Sequence, residues 1–519
     1  MAMKRLIRAE YLIADPDRLE AGVIPDGALA IEGGEIVAAG PWSELKDAYG
    51  ALESIGGPKG WLAFPGLVNA HHHGRGISTL AAGMDDAPLE LWLPSFALYP
   101  DVDVYWNTLY SAAQMLRSGI TTSIQNHSSP GPLSSYRESV EQALEAYDDA
   151  GARVTFAMGL FDQQYLANYV PDDVFLSGLS RSLRKEVERV FDVPNLYVDP
   201  DEYFALFGDL SSSCGGDGSR CQIILSPIGL QWASDALLKR MASVAADYET
   251  GIHLHLFETQ YQREYVKRRF GFSAPQAMEE LGLLGPRTSL AHCVWLTAEE
   301  LDTLARTETT LVTNTSSNLR LGSGVFPLSA PRARDMNVAL GLDDLSLFDD
   351  KDMFKEMRLL TALHRQPGLS AKWISPYESL RMATVGGARA ALFDDRVGKL
   401  LPGYRADVIL VNLDRVLQPW VSPDADIVEL ALARLRSDDV DTVMVDGQVV
   451  LEGGDFTKLD PAAIAKKVIV ECEPQQVDRA GSLLMDVRSQ MHQLFEPWEL
   501  TGFEPFYQQN SRSLSEEGE

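Results

Sequence analysis

Apolar and polar positions follow two textures along the chain. Up to about residue 62 the apolar runs are short and broken by turns. Ala28-Leu-Ala-Ile-Glu-Gly-Gly-Glu-Ile-Val-Ala-Ala-Gly40 reads as a hairpin with Gly33-Gly34 at its turn. One short helix is expected there, near Trp42–Tyr49. From Trp61 the pattern becomes strands alternating with helices. Tyr105, Leu109, Ala112 and Leu116 are spaced as one helical stripe, closed by Gly119. The β-rich run Ile120–Gln125 follows and ends at Asn126-His127. Ser135 and Glu138 are read as a capping box that opens the next helix, with the stripe Val140, Ala143, Leu144 and Tyr147 and a stop at Gly151. Strand Arg153–Leu160 comes next. Residues 162–220 break the rhythm: they are mixed and acidic and end in a glycine-rich loop, so an insertion with some helix, or a mobile lid, is expected.

The rhythm resumes with strand Cys221–Pro227, helix Ser234–Thr250 and strand Gly251–Phe257. Strand Thr288–His292 precedes a helix opened by the capping pair Thr297 and Glu300. Strands Thr310–Thr313 and Asn337–Leu342 bring the count to eight between Leu62 and Asp343. Eight serial strand–helix units predict a (β/α)8 barrel. After Val397 the short-strand texture returns, at Val397–Val411 and Val440–Leu451, so the two chain ends are expected to pair into one small domain. The expected division is 1–62 and 396–455 as the two parts of that domain, 63–395 as the barrel with its insertion at about 162–220, and 456–519 as a helical tail whose end, Ser511–Glu519, is disordered.

Barrels of this kind carry their chemistry at the C-terminal ends of the strands. Phe64-Pro-Gly-Leu-Val-Asn-Ala-His71-His72-His73 ends the first strand. Alternation puts His71 and His73 on one face and turns His72 away, into the loop. His127 ends the second strand, Gln231-Trp232 follows the fourth, and His253-Leu-His255-Leu-Phe-Glu258 carries the fifth. His292 ends the sixth and Asp343-Asp344 the eighth. Seven of the 9 histidines lie at or beside these ends, which a random distribution would not produce. Three imidazoles and a carboxylate suit one divalent metal ion, zinc or ferrous iron, with a position left open for water. The expected ligands are His71, His73, His255 and Asp343. Such a metal would generate hydroxide near neutral pH. Glu258 is placed to take and return its proton, and His292 to hold the hydroxide or polarise the substrate. His127, Gln231, Trp232, Trp295 and Asp344 are candidate substrate contacts. Trp92, Phe96 and Phe348 are further aromatics that could frame a ring. Asp349-Asp-Lys-Asp352 reads as a solvated helix start.

Composition narrows the setting. Hydrophobic residues make up 45% and charged residues 23%, ordinary for a globular protein. No apolar run is long enough to span a membrane. The net charge of -29 disfavours a nucleic-acid partner. The 4 cysteines form no Cys-x-x-Cys pair, which points to a reducing, cytoplasmic protein.

Taken in order, these motifs resemble the metal-dependent amidohydrolase superfamily, and within it the branch of adenosine-type and guanine deaminases and s-triazine amino- and chlorohydrolases. The resemblance rests on Pro65–His73, His255-Leu-Phe-Glu258, Ala291-His-Cys-Val-Trp-Leu-Thr297, Asn314–Gly324, Ala339-Leu-Gly-Leu-Asp343 and Gly403-Tyr-Arg-Ala-Asp407. It implies a distorted (β/α)8 barrel with a β-sandwich made from both chain ends. It also implies the metal set named above, Glu258 as proton shuttle and His292 as its assistant. Dinuclear relatives use a carboxylated lysine on strand four; Cys221–Pro227 has none, so a single ion is expected. His253 is expected to support the ligands or the fold. Family members are commonly homo-oligomers, and the same is expected here. Trp295, Asp344 and Thr315 depart from the family pattern, and Trp295 and Asp344, near the expected pocket, weaken any carry-over of a purine or nucleoside substrate. The expected reaction is hydrolytic deamination of a small heterocycle. Hydrolysis of an amide, urea or carbamate-like bond, or dechlorination, is the alternative. A catalytically silent scaffold is disfavoured, because it would be expected to lose ligands that this chain keeps.

Overall fold

The computed structural model describes residues 4–216, 218–366, 368–472, 481–498 and 500. The expected disordered end, Ser511–Glu519, lies outside the described residues. Two sheets organise the rest. The chain ends supply one: β1 (Lys4–Ile13), β2 (Val23–Glu32), β3 (Glu35–Pro41), β4 (Ser54–Gly56) and β5 (Trp61–Pro65). The second sheet is the barrel, β6 (Leu67–His72), β7 (Ile120–His127), β8 (Arg153–Gly159), β9 (Cys221–Gly229), β10 (Ile252–Leu256), β11 (Thr288–His292), β12 (Thr310–Thr313) and β13 (Val338–Leu340). Then β14 (Val408–Asn412), β15 (Val440–Val445), β16 (Gln448–Glu452) and β17 (Asp455–Phe456) return to the first sheet, where β14 pairs antiparallel with β5. That sheet is continuous, eight strands in one ladder with β4 branching from β1, and its wings meet around Ile7, Leu29, Ile36, Val408, Leu410 and Met444.

The eight barrel strands are parallel and pair in sequence order. Alternation sorts their side chains. Ile223, Leu225, Leu254 and Leu256 face the surrounding helices, while Val68, Ala70, Ile124, Ala157, Ile224, Val312 and Ala339 fill the interior. The N-terminal end of the barrel is plugged by the segment around Ala388–Phe393, whose Ala391 carbonyl accepts from Thr155 Oγ1 at 2.5 Å. Closure between β13 and β6 is made just past the strands: the Asp343 N–H donates to the His71 carbonyl at 2.9 Å, and the Leu342 N–H to Asn69 Oδ1 at 2.9 Å. Gly341 makes that approach possible, since a Cβ there would lie 2.2 Å from Asn314 Oδ1. The two sheets are tied by a buried ion pair. Arg153, at the start of β8, grips Asp407 at 3.1 and 3.2 Å.

Local detail departs from the sequence reading in two places. The helix Leu133–Ala150 starts before Ser135, behind Pro132, and has no side-chain cap. Thr297 and Glu300, in contrast, form the expected capping box. The insertion contains the expected helix, with Asp172–Gly178, Arg181–Val190 and a longer helix, Pro200–Ser213, whose Tyr203 hydroxyl donates to the Met158 carbonyl on β8. Asp349–Asp352 is not a solvated start throughout, because Lys351 and Asp352 are buried and Asp352 caps the helix Met353–Leu363. The tail helix Gly481–Phe495 packs back over the mouth of the barrel, with Arg488 donating to the Leu91 carbonyl and to Ser95 Oγ. No helix among the described residues is long and apolar enough to cross a membrane.

Candidate metal centre and pocket

Six functional side chains meet at the open end of the barrel because of how the strands end. In β6 one extra residue is inserted between Asn69 and His72 relative to β7. The bulge switches the parity of the strand: Val68 and Ala70 face inward, and so does His71. His72 points outward, its Nε2 3.1 Å from the Tyr147 hydroxyl. It therefore belongs to the buried strand and not to the loop. Left-handed backbone at non-glycine residues gathers at these strand ends: Ile228, Phe257, His292, Cys293, Asp343 and Asp344. Each such residue is strained by about 1–3 kcal/mol, a cost that concentrates at functional sites.

Each imidazole is fixed from behind. His71 Nδ1 donates to His253 Nε2 at 2.7 Å, and His253 Nδ1 in turn to Ser289 Oγ at 2.7 Å. His73 Nδ1 donates to the Asn126 carbonyl at 3.0 Å, and His255 Nδ1 to that of Ile228 at 2.7 Å. With their Nδ1–H groups spent in this way, the Nε2 atoms of His71, His73 and His255 are acceptors aimed inward, as metal ligands must be. Burial pushes the pKa values of His71, His253 and His255 well below the ordinary histidine value, so the rings are neutral. Asp343 Oδ1 lies 3.2 Å from His71 Nε2 and 3.1 Å from His73 Nε2, while its Oδ2 accepts from Ser317 Oγ at 2.6 Å. Burial would raise its pKa, but the imidazoles of His71 and His73 that face it outweigh burial and hold it ionised.

These residues fit a divalent cation. His71 Nε2 is buried with no hydrogen-bond donor facing it. Single ligand atoms of His71, His255, His292 and Asp343 lie within 4.8 Å of one another. His292 enters that tightest group in place of the expected His73, yet His73 faces the same oxygen of Asp343 as His71. Ligands about 2.0–2.2 Å from a tetrahedral centre sit about 3.3–3.6 Å apart, close to the separations here.

Over this cluster stand Glu258 and His292. Glu258 Oε2 is 3.7 Å from His292 Nε2, and its Oε1 accepts from Ser323 Oγ at 3.4 Å. Burial, reinforced by the negative charge of Asp343, raises the Glu258 carboxyl well above the usual carboxylate range, so it can carry a proton. His292 Nδ1 donates to Asn318 Oδ1 at 2.9 Å, which leaves Nε2 toward Glu258.

The cluster forms the floor of a cavity of about 750 Å³. Of the candidate substrate contacts, Trp232 borders it. His127 does not: its Nε2 pairs with Ser139 Oγ on the neighbouring helix at 2.9 Å, and burial lowers its pKa to about 4. Asp344 is also turned away, since its Oδ2 accepts from the backbone N–H groups of His73 and Arg75 and its Oδ1 pairs with Lys351. The Trp295 indole N–H donates to the Ser323 carbonyl, so the ring buttresses the residue that bonds Glu258. Gln231 lies buried behind the wall, its carbonyl accepting from Gln163. Trp92 and Phe96 do border the cavity, whereas Phe348 is exposed beside Lys355. Sequence reasoning missed Arg75, Tyr165, Leu196 and Met491, all on the cavity wall. Arg75 sits two residues beyond His73, and that proximity was the one signal available for it.

A family model for the Amidohydrolase family matches residues 62–450. The chain belongs to the amidohydrolase family. A second match, to an imidazolonepropionase-like composite domain of bacteria, spans residues 27–51. The amidohydrolase is 31% identical over 472 residues to a 5-methylthioadenosine/S-adenosylhomocysteine deaminase of Desulfitobacterium hafniense, covering 90% of this chain and 97% of that one. It is 31% identical to a 5'-deoxyadenosine deaminase of Methanothermobacter thermautotrophicus, with 86% and 95% covered. Among solved structures it resembles a zinc-bound adenosine deaminase of Xanthomonas campestris, with a TM-score of 0.75, 26% identity and coverage of 90% and 98%. It shares its fold with a zinc-bound atrazine chlorohydrolase of Arthrobacter aurescens at a TM-score of 0.76 and 24% identity, over 90% of this chain and 99% of that one. The protein is thus a metal-dependent hydrolase acting on carbon–nitrogen bonds.

Proposed function

We propose that this amidohydrolase removes an amino group from a small heterocycle. The observation that carries the reading is the meeting of Glu258, whose proton affinity is raised by burial, and a neutral His292 above Asp343 and the inward-facing imidazoles, at the floor of one cavity. His71, His73, His255 and Asp343 would hold one divalent ion; zinc is proposed, on the chemistry of the donor set and the zinc-bound relative, with ferrous iron as the alternative. Bound there, the ion would acidify a water molecule. The chain's own groups do the rest. Glu258 Oε2 accepts the water's proton and delivers it to the ring nitrogen or the departing amine. His292, held neutral by its burial and fixed in orientation by its bond to Asn318, turns Nε2 to orient the oxygen for attack. Trp232 and Trp92 bracket the ring and exclude water from it.

The domain assignment follows the same logic, with the barrel of about 63–395 carrying the chemistry and the segments 1–62 and 396–455 bracing its closed end. The free thiols of Cys214, Cys221, Cys293 and Cys472 support a reducing compartment, and we place the protein in the cytoplasm. A homo-oligomer is proposed by analogy and is checked by light scattering of the purified protein.

The test is a screen of amino-heterocycles, amides and ureas with zinc- or iron-loaded protein, reading ammonia, amines and chloride in parallel. Ammonia from amino-heterocycles is expected. Release of chloride or of larger amines alone would replace deamination by the alternative reaction.

A further inference from the structure

Arg75 is built into the cavity wall and forms no ion pair among the described residues. Its loop is rigid. The Arg75 N–H donates to Asp344 Oδ2 at 2.9 Å, and the next two N–H groups, of Gly76 and Ile77, both donate to Asn107 Oδ1, at 2.8 and 3.2 Å. Before it, Gly74 adopts φ +77°, and a Cβ there would lie 2.5 Å from the Gln125 side chain. The side chain is half-buried, with its guanidinium stacked 4.4 Å from the Phe96 ring centroid, and it borders the cavity together with His73, Tyr165 and Glu258.

No ion pair or hydrogen bond of that guanidinium is formed among the described residues. Other half-buried arginines are paired: Arg8 with Asp26, Arg263 with Glu300, Arg320 with Asp86. Asp344 is nearby, but its oxygens are taken by two backbone N–H groups and by Lys351. A guanidinium held over an aromatic ring keeps its N–H donors for a polar partner. Partly desolvated, it gains most from a carboxylate, whose two oxygens match the fork. Asp101 and Asp192 also border the cavity and would repel a more highly charged group. In a chain of net charge -29, this is a local attraction for one negative charge.

We propose that Arg75 is the anion-recognition residue of the pocket, and that the substrate is a flat heterocycle bearing a carboxylate arm. The ring lies over the Glu258–His292 floor and the carboxylate pairs with Arg75. The inference deepens the deamination reading and rests on it for the identity of the ring.

Binding tests it apart from chemistry. Indole-3-propionate and its neutral counterpart 3-(indol-3-yl)propanol are titrated calorimetrically into zinc-loaded wild type, Arg75→Met and Arg75→Lys. The wild type is expected to prefer the acid by about tenfold or more, the worth of a charge-assisted hydrogen-bonded pair. Arg75→Met should bring the two affinities within about twofold of each other, and Arg75→Lys should keep part of the preference. Unchanged zinc content and melting temperature show that each variant is folded. An acid preference that survives intact in Arg75→Met overturns the proposal, as does a wild type that binds the two probes equally or binds neither. The ammonia screen separates the two readings: an Arg75-dependent preference without ammonia release from any amino-heterocycle leaves Arg75 standing and removes deamination.

Discussion

The chain Ser289–His253–His71 makes a quantitative demand on the metal site. His71 can offer Nε2 to a cation only while its Nδ1–H is held, and the acceptor is His253 Nε2 at 2.7 Å, itself pinned by Ser289 Oγ at 2.7 Å. All three groups are buried. His253→Phe keeps the volume of the ring and removes the acceptor. A buried donor left without its partner costs about 1–3 kcal/mol, and it is relieved if the His71 ring rotates and takes Nε2 out of line. Zinc affinity should therefore fall about 10–100-fold, or about 1.4–2.7 kcal/mol. Ser289→Ala, one bond further out, should lose less. The assay is zinc titration against a competing chelator at fixed pH, with circular dichroism to confirm the fold. Affinity in His253→Phe within about twofold of wild type would refute the orienting role of His253.

Asp407→Ala should destabilise the protein by about 3–5 kcal/mol, because it strands the buried Arg153 charge at the joint between the two sheets; equilibrium urea unfolding measures it. Glu356, buried beside Ser316, is pushed by that burial from an ordinary value of 4.5 up to about 7. Because the raised value favours the protonated form in the folded protein, its contribution is intact below about pH 4.5 and is lost as pH rises through about 7, a change of about 3 kcal/mol. Glu356→Gln should accordingly gain about that much relative to wild type between pH 5 and pH 8, and a difference independent of pH would contradict the assignment.

The barrel was legible because its signals are local. Each strand is a short apolar run, bounded by turn residues and followed by a helical stripe, and the histidines mark the ends. The ligand cluster was legible for the same reason: His71, His255, His292 and Asp343 each sit at the end of a strand, and barrel closure brings the ends together. Sequence neighbours failed as spatial neighbours exactly where the backbone turns left-handed. Asp344 follows Asp343, but successive positive φ angles point it at the His73–Arg75 loop and away from the cavity. His127 ends its strand facing the helix Leu133–Ala150, which alternation cannot distinguish from facing the pocket without knowing the register. The pocket wall was not legible at all. Tyr165, Leu196 and Met491 come from an insertion and a tail with no period of their own, and they meet only through tertiary packing. Nor could the pattern reveal that the end strands form one continuous ladder, since that depends on β5 pairing with both β1 and β14.

The account's central claim is that Glu258 moves the proton in a metal-dependent deamination. Ammonia release from an amino-heterocycle, measured side by side for zinc-loaded wild type and zinc-loaded Glu258→Gln, tests it most directly. The variant should hold as much zinc as the wild type and lose at least about 100-fold in turnover, the scale of a positioned general acid–base. Wild-type turnover in Glu258→Gln, at equal zinc content, would contradict the account.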